Sequence, residues 1–340
     1  MRARLGRILA WVVTLGALGW VFWHVPIAKV WEAVGHAAPW TVPVVLTAVL
    51  MVYLADSFAM WRTFGWFLAK LPFRDVMIVR GATYLLAAIN YSVGQGAIVY
   101  FVHRARGVPV MRGVATVLLI MGTNVLVLLT LVTAGLALGA EHPPALVPVV
   151  GIAWAGLGVY VVLVLLRPRV LASRPLFDVL LSAGLVGHLK AMVVRVPHIA
   201  ALLLFNLAAL RGVGVQVPLG TAVAALPVVM FIAVLPISVQ GLGTTQAAML
   251  LFFVRYVPGY VPGDPKAVQA AEAVVVGASL AAQFLATFTQ VSIGLLCMRT
   301  RTARGLKEAA KQAALDKEKE NQSVAAPAGP VPPVPPVGIG

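Results

Sequence analysis

Two short stretches set hydrogen-bonding side chains among glycines inside strongly apolar sequence. The first, NYSVGQG, supplies Ser92, Gly94, Gln95 and Gly96; the second, ISVQGLGTTQ, supplies Ser238, Gln240, Gly241, Gly243, Thr244, Thr245 and Gln246. Hydroxyls and carboxamides donate and accept hydrogen bonds without carrying charge, and glycine reaches backbone conformations closed to larger residues. Such a set suits uncharged recognition of a polar group rather than proton transfer or covalent attack. No nucleophile–base pair, nucleotide-binding loop or Cys/His cluster with metal-ligand spacing accompanies it. The sequence therefore predicts no enzyme activity, no cofactor and no metal. Asp56 and Arg80 complete the candidate set. Each lies inside an apolar run, where a charge is costly unless paired. They are expected to meet across two helices, either lining the same cavity or forming a purely structural bond.

The elements that would position these residues follow from composition. Of 340 residues 61% are apolar and only 11% charged, and the mean hydropathy is +0.94. Soluble domains run near 45–50% apolar and about 25% charged, so the chain reads as an all-α polytopic membrane protein. The net charge of +15 is scattered between apolar runs, a pattern of topology and lipid contact rather than nucleic-acid binding. The lone Cys297 excludes an intramolecular disulfide framework. Continuous runs long enough to span cover 6–25, 41–62, 113–138, 146–166, 197–211 and 268–298. For the first, a cleaved signal peptide is the alternative. Trp20, Phe22 and Trp23 follow its apolar core with no small-residue cleavage site, so it reads as an uncleaved helix. The stretch LASRPLFDVLLSAGLVGHLKAMVVRVP carries Asp178, His188, Lys190 and Arg195 and reads as an interfacial amphipathic helix.

Charge parity then assigns the two glycine-rich regions, 76–104 and 218–256. Lys and Arg collect on the cytoplasmic side. Arg62, Lys70 and Arg74 precede the first region, and Arg104, Arg106 and Arg112 follow it. Both clusters face one side only if the segment dips into the membrane and turns back, with Gly94–Gly96 as the predicted turn. The second region, turning at Gly241–Gly243, dips from the other side. The expected architecture is about six spanning helices plus two re-entrant hairpins in an inverted repeat, an arrangement that marks translocation sites near the midplane. Both termini are expected in the cytoplasm. A transmembrane domain over 1–300 is followed by a charged cytoplasmic helix over 301–323 and a proline-rich tail over 324–340 that cannot pack.

The stretch LPISVQGLGTTQAAMLLFF resembles the Pro-x-Ser-x-x-Gly-x-Gly motif of the lysylphosphatidylglycerol synthase transmembrane-region family. NYSVGQGAIVYFVHRARGVPVMRGVA resembles the family's other motif region, and MWRTF, residues 60–64, its Arg-Trp pair with the order changed. The resemblance covers most of residues 5–300. It implies a flippase-like protein of a bacterial inner membrane that moves an aminoacylated, glycosylated or isoprenoid lipid between leaflets, without the soluble synthase domain that some members carry. It also exposes departures. Where the family usually has Glu after Gly in the first motif, Ala97 stands here. Where it has Arg-Glu after the second motif, Thr245 and Gln246 stand, and Gln283 lies near the place of an arginine common in the last helix. Losing charges of both signs together is electrostatically coherent. Membrane lipids are the expected partners and nucleic acid is not. The alternative is a non-transporting subunit or scaffold of a lipid-pathway complex, recruiting a protein through its proline-rich tail.

Overall fold

Apolar runs of membrane-spanning length fold as long helices, since only internal hydrogen bonding satisfies the backbone in hydrocarbon. A computed structural model of the chain describes residues 27–300 except 90, 236, 237, 239 and 240, together with Val12, Leu15, Gly16, Leu18, Gly19, Val21 and Trp23; at 27, 33, 88, 89 and 91–93 it describes backbone only. The predicted first span, 6–25, falls largely outside the described residues, and the regions 301–323 and 324–340 fall wholly outside them. Among the described residues the chain is helical, with no strand. The helices are α1 (Ile27–Gly35), α2 (Thr41–Phe67), α3 (Phe73–Ile89), α4 (Tyr91–Arg106), α5 (Val110–Ala137), α6 (Leu146–Leu166), α7 (Arg169–Ala172), α8 (Pro175–Ser182), α9 (Gly184–Gly212), α10 (Leu219–Val234), α11 (Thr244–Phe253) and α12 (Pro265–Met298). Five of them, α2, α5, α6, α9 and α12, are long and apolar enough to cross a membrane.

One span differs from the sequence reading. The predicted 197–211 is the second half of α9, a continuous helix of 29 residues that carries Pro197 in its interior. The charges Asp178, His188, Lys190 and Arg195 before residue 197 are why the sequence reading places the boundary there. The predicted interfacial helix is thus divided among α7, α8 and the first half of α9.

Helices α2 and α9 lie antiparallel along their length. A Cβ on Gly187 would sit 3.0 Å from the Phe67 ring at one end, and one on Gly212 would sit 2.2 Å from Thr41 Oγ1 at the other. These contacts define two ends of the bundle. At the Phe67 end, Phe64, Leu71, Val76 and Val102 share one buried cluster, and Trp61 Nε1 donates to the Leu71 carbonyl at 2.9 Å. Helices α3 and α4 therefore start and finish together there as a folded-back pair. At the Thr41 end, the Gln216 amide donates to the Tyr256 carbonyl at 2.9 Å, closing the base of the α10–α11 pair. The Tyr256 hydroxyl donates to Glu141 beyond the end of α5 at 2.9 Å. The two pairs open from opposite ends of α2.

The turn between α3 and α4 is not at Gly94–Gly96. Both glycines are inside α4, and the helices divide around residue 90. Gly94 instead serves packing: a Cβ there would lie 2.9 Å from Ala87 Cβ on α3. With the turn moved, the second leg is longer than the predicted 97–104: α3 has 17 residues and α4 has 16. At 1.5 Å per residue that is about 24–26 Å, short of a hydrocarbon core of about 30 Å.

Candidate functional site

Asp56, mid-way along α2, is 2% exposed, which makes an unpaired carboxylate there prohibitive. It has two partners. Oδ2 accepts from Arg80 Nε on α3, as the sequence predicts, and Oδ1 accepts from Arg195 Nη1 on α9. Arg195 is itself 3% exposed. The Arg80 guanidinium also stacks over the Tyr84 ring, 5.1 Å from its centroid, a cation–π contact that recovers part of its desolvation cost. His198, one turn beyond Arg195, is 9% exposed, and its Nδ1 lies 3.3 Å from the Val52 carbonyl. The cluster joins three helices and holds two guanidinium groups against one carboxylate, a formal surplus of one positive charge.

Sequence reasoning missed Arg195 because it placed that residue on an interfacial helix. A signal was present: Arg195 and His198 are three apart, hence on one helical face, within the apolar sequence AMVVRVPHIAALLLF.

The second break is built by backbone that only glycine tolerates easily. Gly241 has φ +73° and Gly243 φ +81°, both in the left-handed region. The Gly243 amide donates to Gln246 Oε1 at 2.7 Å, satisfying one free amide at the start of α11. Gln246, fully buried, then donates from Nε2 to Gln283 Oε1 on α12 at 3.0 Å. The carboxamides of Gln246 and Gln283 are thus bonded to each other. Thr244 Oγ1 donates to the Gly241 carbonyl at 3.1 Å, so the Ser238 hydroxyl, 2.8 Å away, donates to Thr244. Thr245 Oγ1 is buried with no hydrogen-bond partner among the described residues, and a Cβ on Gly241 would meet it at 2.7 Å. Gln240 lies outside the described residues.

The first stretch is less crowded. Gln95 is half-buried and Gly96 exposed, and a Cβ on Gly96 would meet nothing within 4 Å. Ser92 is described as helical backbone only. Helix α4 packs on α3 and α5, whereas α11 packs on α10 and α12. Among the described residues no hydrogen bond joins the two stretches, and the Asp56 cluster occupies a third position, between α2, α3 and α9.

Long apolar helices, a charged cluster sealed among three of them and two folded-back helix pairs opening from opposite ends define a multi-pass membrane protein. The chain belongs to the lysylphosphatidylglycerol synthase TM region family, whose model matches residues 7–268. No curated protein and no solved structure matches it.

Proposed function

We propose that the protein translocates an amphipathic lipid, of the aminoacylated, glycosylated or isoprenoid kind, across the cell membrane without changing it covalently. The observation that carries this reading is the Asp56–Arg80–Arg195 cluster. Ionised groups within a membrane are costly and mark substrate or ion paths by default, and a surplus guanidinium charge suits the phosphate of a lipid headgroup. The α3–α4 and α10–α11 pairs are read as re-entrant hairpins of an inverted repeat. Thr245 Oγ1, buried without a hydrogen-bond partner among the described residues, then offers an uncharged hydrogen bond to a passing headgroup, with Ser238 and Thr244 bonded to each other beside it. Family membership supports a lipid as cargo.

The test is lipid movement in proteoliposomes. Fluorescent aminoacylated, glycosylated and isoprenoid lipids are loaded in one leaflet and quenched from outside. The wild-type protein should move at least one class faster than protein-free vesicles. The variant Asp56→Leu/Arg80→Leu/Arg195→Leu, which removes the buried charges together and so spares folding, should not. Wild-type rates equal to those of protein-free vesicles for every class would sink the translocation reading in favour of a scaffold. Equal rates for wild type and variant would remove the cluster from the path.

A further inference from the structure

A second feature is lined by none of the candidate site residues. A cavity of about 850 Å³ opens between α5, α6, α9 and α10, within the range of roughly 300–1,000 Å³ typical of ligand pockets. Its wall follows α5 from Leu118 to Val132, about 21 Å of helix at 1.5 Å per residue. It exists because α6 stands off the bundle: only Leu146 and Val164, near its two ends, are buried. Between those ends Gly122 on α5 and Gly156 on α6 line the space, and a Cβ on either would meet nothing within 4 Å.

The wall is almost entirely hydrocarbon, so water inside would lack the polar partners it needs. Its main polar feature is a clasp between α6 and α9. His188 Nδ1 lies 2.7 Å from the Gly184 carbonyl, which only accepts, so Nδ1 carries a proton. In the neutral ring Nε2 then accepts from the Tyr160 hydroxyl at 2.7 Å. The clasp sits toward the C-terminal end of α6. Beyond it, the connection to α8 carries Arg167, Arg169 and Arg174, all exposed and without ion pairs among the described residues. At the far end Glu141 faces Arg255 at 3.7 Å, so that cation, unlike the three arginines, has an acidic partner.

We infer that this cavity holds one hydrocarbon chain of an anionic membrane lipid, with the headgroup at Arg167–Arg174 and the Tyr160–His188 clasp at the boundary between head and chain. Apolar walls select the chain, and the basic end selects the sign of the head. The inference rests on the lipid-handling reading for its ligand class, but not on movement of the lipid.

The experiment uses the full chain in phosphatidylcholine nanodiscs doped with phosphatidylglycerol bearing a diazirine on one acyl chain. After irradiation, adducts are mapped on peptides. They should concentrate on cavity-facing positions such as Leu126 and Leu157 over the outward-facing Ile152 and Phe284. Gly122→Leu/Gly156→Leu fills the space and should lower cavity adducts about tenfold, equivalent to about 1.4 kcal/mol of binding, while outward adducts persist. Arg167→Glu/Arg169→Glu/Arg174→Glu should erase the preference for this probe over its phosphatidylcholine analogue. Adducts spread evenly over all outward helices, or unaffected by the double glycine variant, would show bulk lipid only and overturn the site. Persistence of the headgroup preference in the charge-reversed variant would overturn the basic end. The Asp56→Leu/Arg80→Leu/Arg195→Leu variant separates the two readings. It should keep the cavity adducts while losing translocation, and a wild-type protein that labels in this pattern without moving lipid retains the chain site and loses only the transport reading.

Discussion

Asp56 is satisfied by two cations, so removing its charge harms more than removing all three. Asp56→Asn leaves two guanidinium groups buried without a counter-charge, and breaking such a pair costs about 3–5 kcal/mol. The expected outcome is a clear fall in the unfolding midpoint in detergent. Asp56→Leu/Arg80→Leu/Arg195→Leu should unfold close to wild type, since apolar replacement of a whole buried ionic cluster is near neutral. A single variant as stable as wild type would show the cluster to be hydrated. The Gln246–Gln283 hydrogen bond makes a parallel case without charge. Gln246→Glu alone buries a new carboxylate, and Gln246→Glu/Gln283→Arg supplies its counter-ion, so a double-mutant cycle should return a favourable coupling of about 0.5–3 kcal/mol. Zero coupling would separate the two side chains. Residue chemistry was legible where a charge stood alone in an apolar run. Asp56 and Arg80 met as their isolation demanded, whereas Arg195 was hidden by its grouping with Asp178, His188 and Lys190 as one interfacial stretch, which the structure instead continues through Pro197 inside α9.

At the scale of elements, the same residue type does two different jobs. Gly241 and Gly243 take positive φ and break the chain. Gly94 and Gly135 stay helical and let neighbours approach closely, the usual role of small residues between membrane helices. Gly135 is the tighter: a Cβ there would lie 2.5 Å from the Ala224 backbone nitrogen on α10. Gly135→Leu should therefore force α5 and α10 apart and destabilise the protein by about 1–3 kcal/mol, the usual cost of overpacking. Gly151→Ala, on α6 with nothing within 4 Å, should leave the midpoint unchanged. Equal midpoints for Gly135→Leu and wild type would refute the close crossing. This double use explains what the sequence could tell. The spans 41–62, 113–138, 146–166 and 268–298 all fall on long helices because hydrophobic length alone specifies them. The first turn was displaced from Gly94–Gly96 to the region of residue 90, because composition does not distinguish a packing glycine from a breaking one.

Across the whole molecule, the α2–α9 pairing gives each connecting loop an end, and the charges sort by end. Arg62, stacked on Trp66 with its guanidinium 5.0 Å from the ring centroid, shares the Phe67 end with Lys70, Arg74, Arg104, Arg106 and Arg112. The opposite end mixes Arg211, Arg255 and Lys266 with Glu141 and Asp264. Long-range charge asymmetry of this kind orients membrane proteins with the basic side in the cytoplasm. The α3–α4 pair matters most to the outcome, because its return to the Phe67 end keeps Arg104 and Arg106 beside Arg74. The prediction is made for intact cells, in a Cys297→Ala background that removes the single native thiol. Pro262→Cys, exposed in the loop before α12, should react with an impermeant maleimide. Arg106→Cys, exposed at the end of α4, should react only after the membrane is permeabilised. Reaction at 106 but not at 262 would invert the orientation while keeping the fold. Reaction at both sites would mean that residues 73–106 cross the membrane once instead of turning back, and the pairing of the two folded-back elements from opposite ends would fail with it.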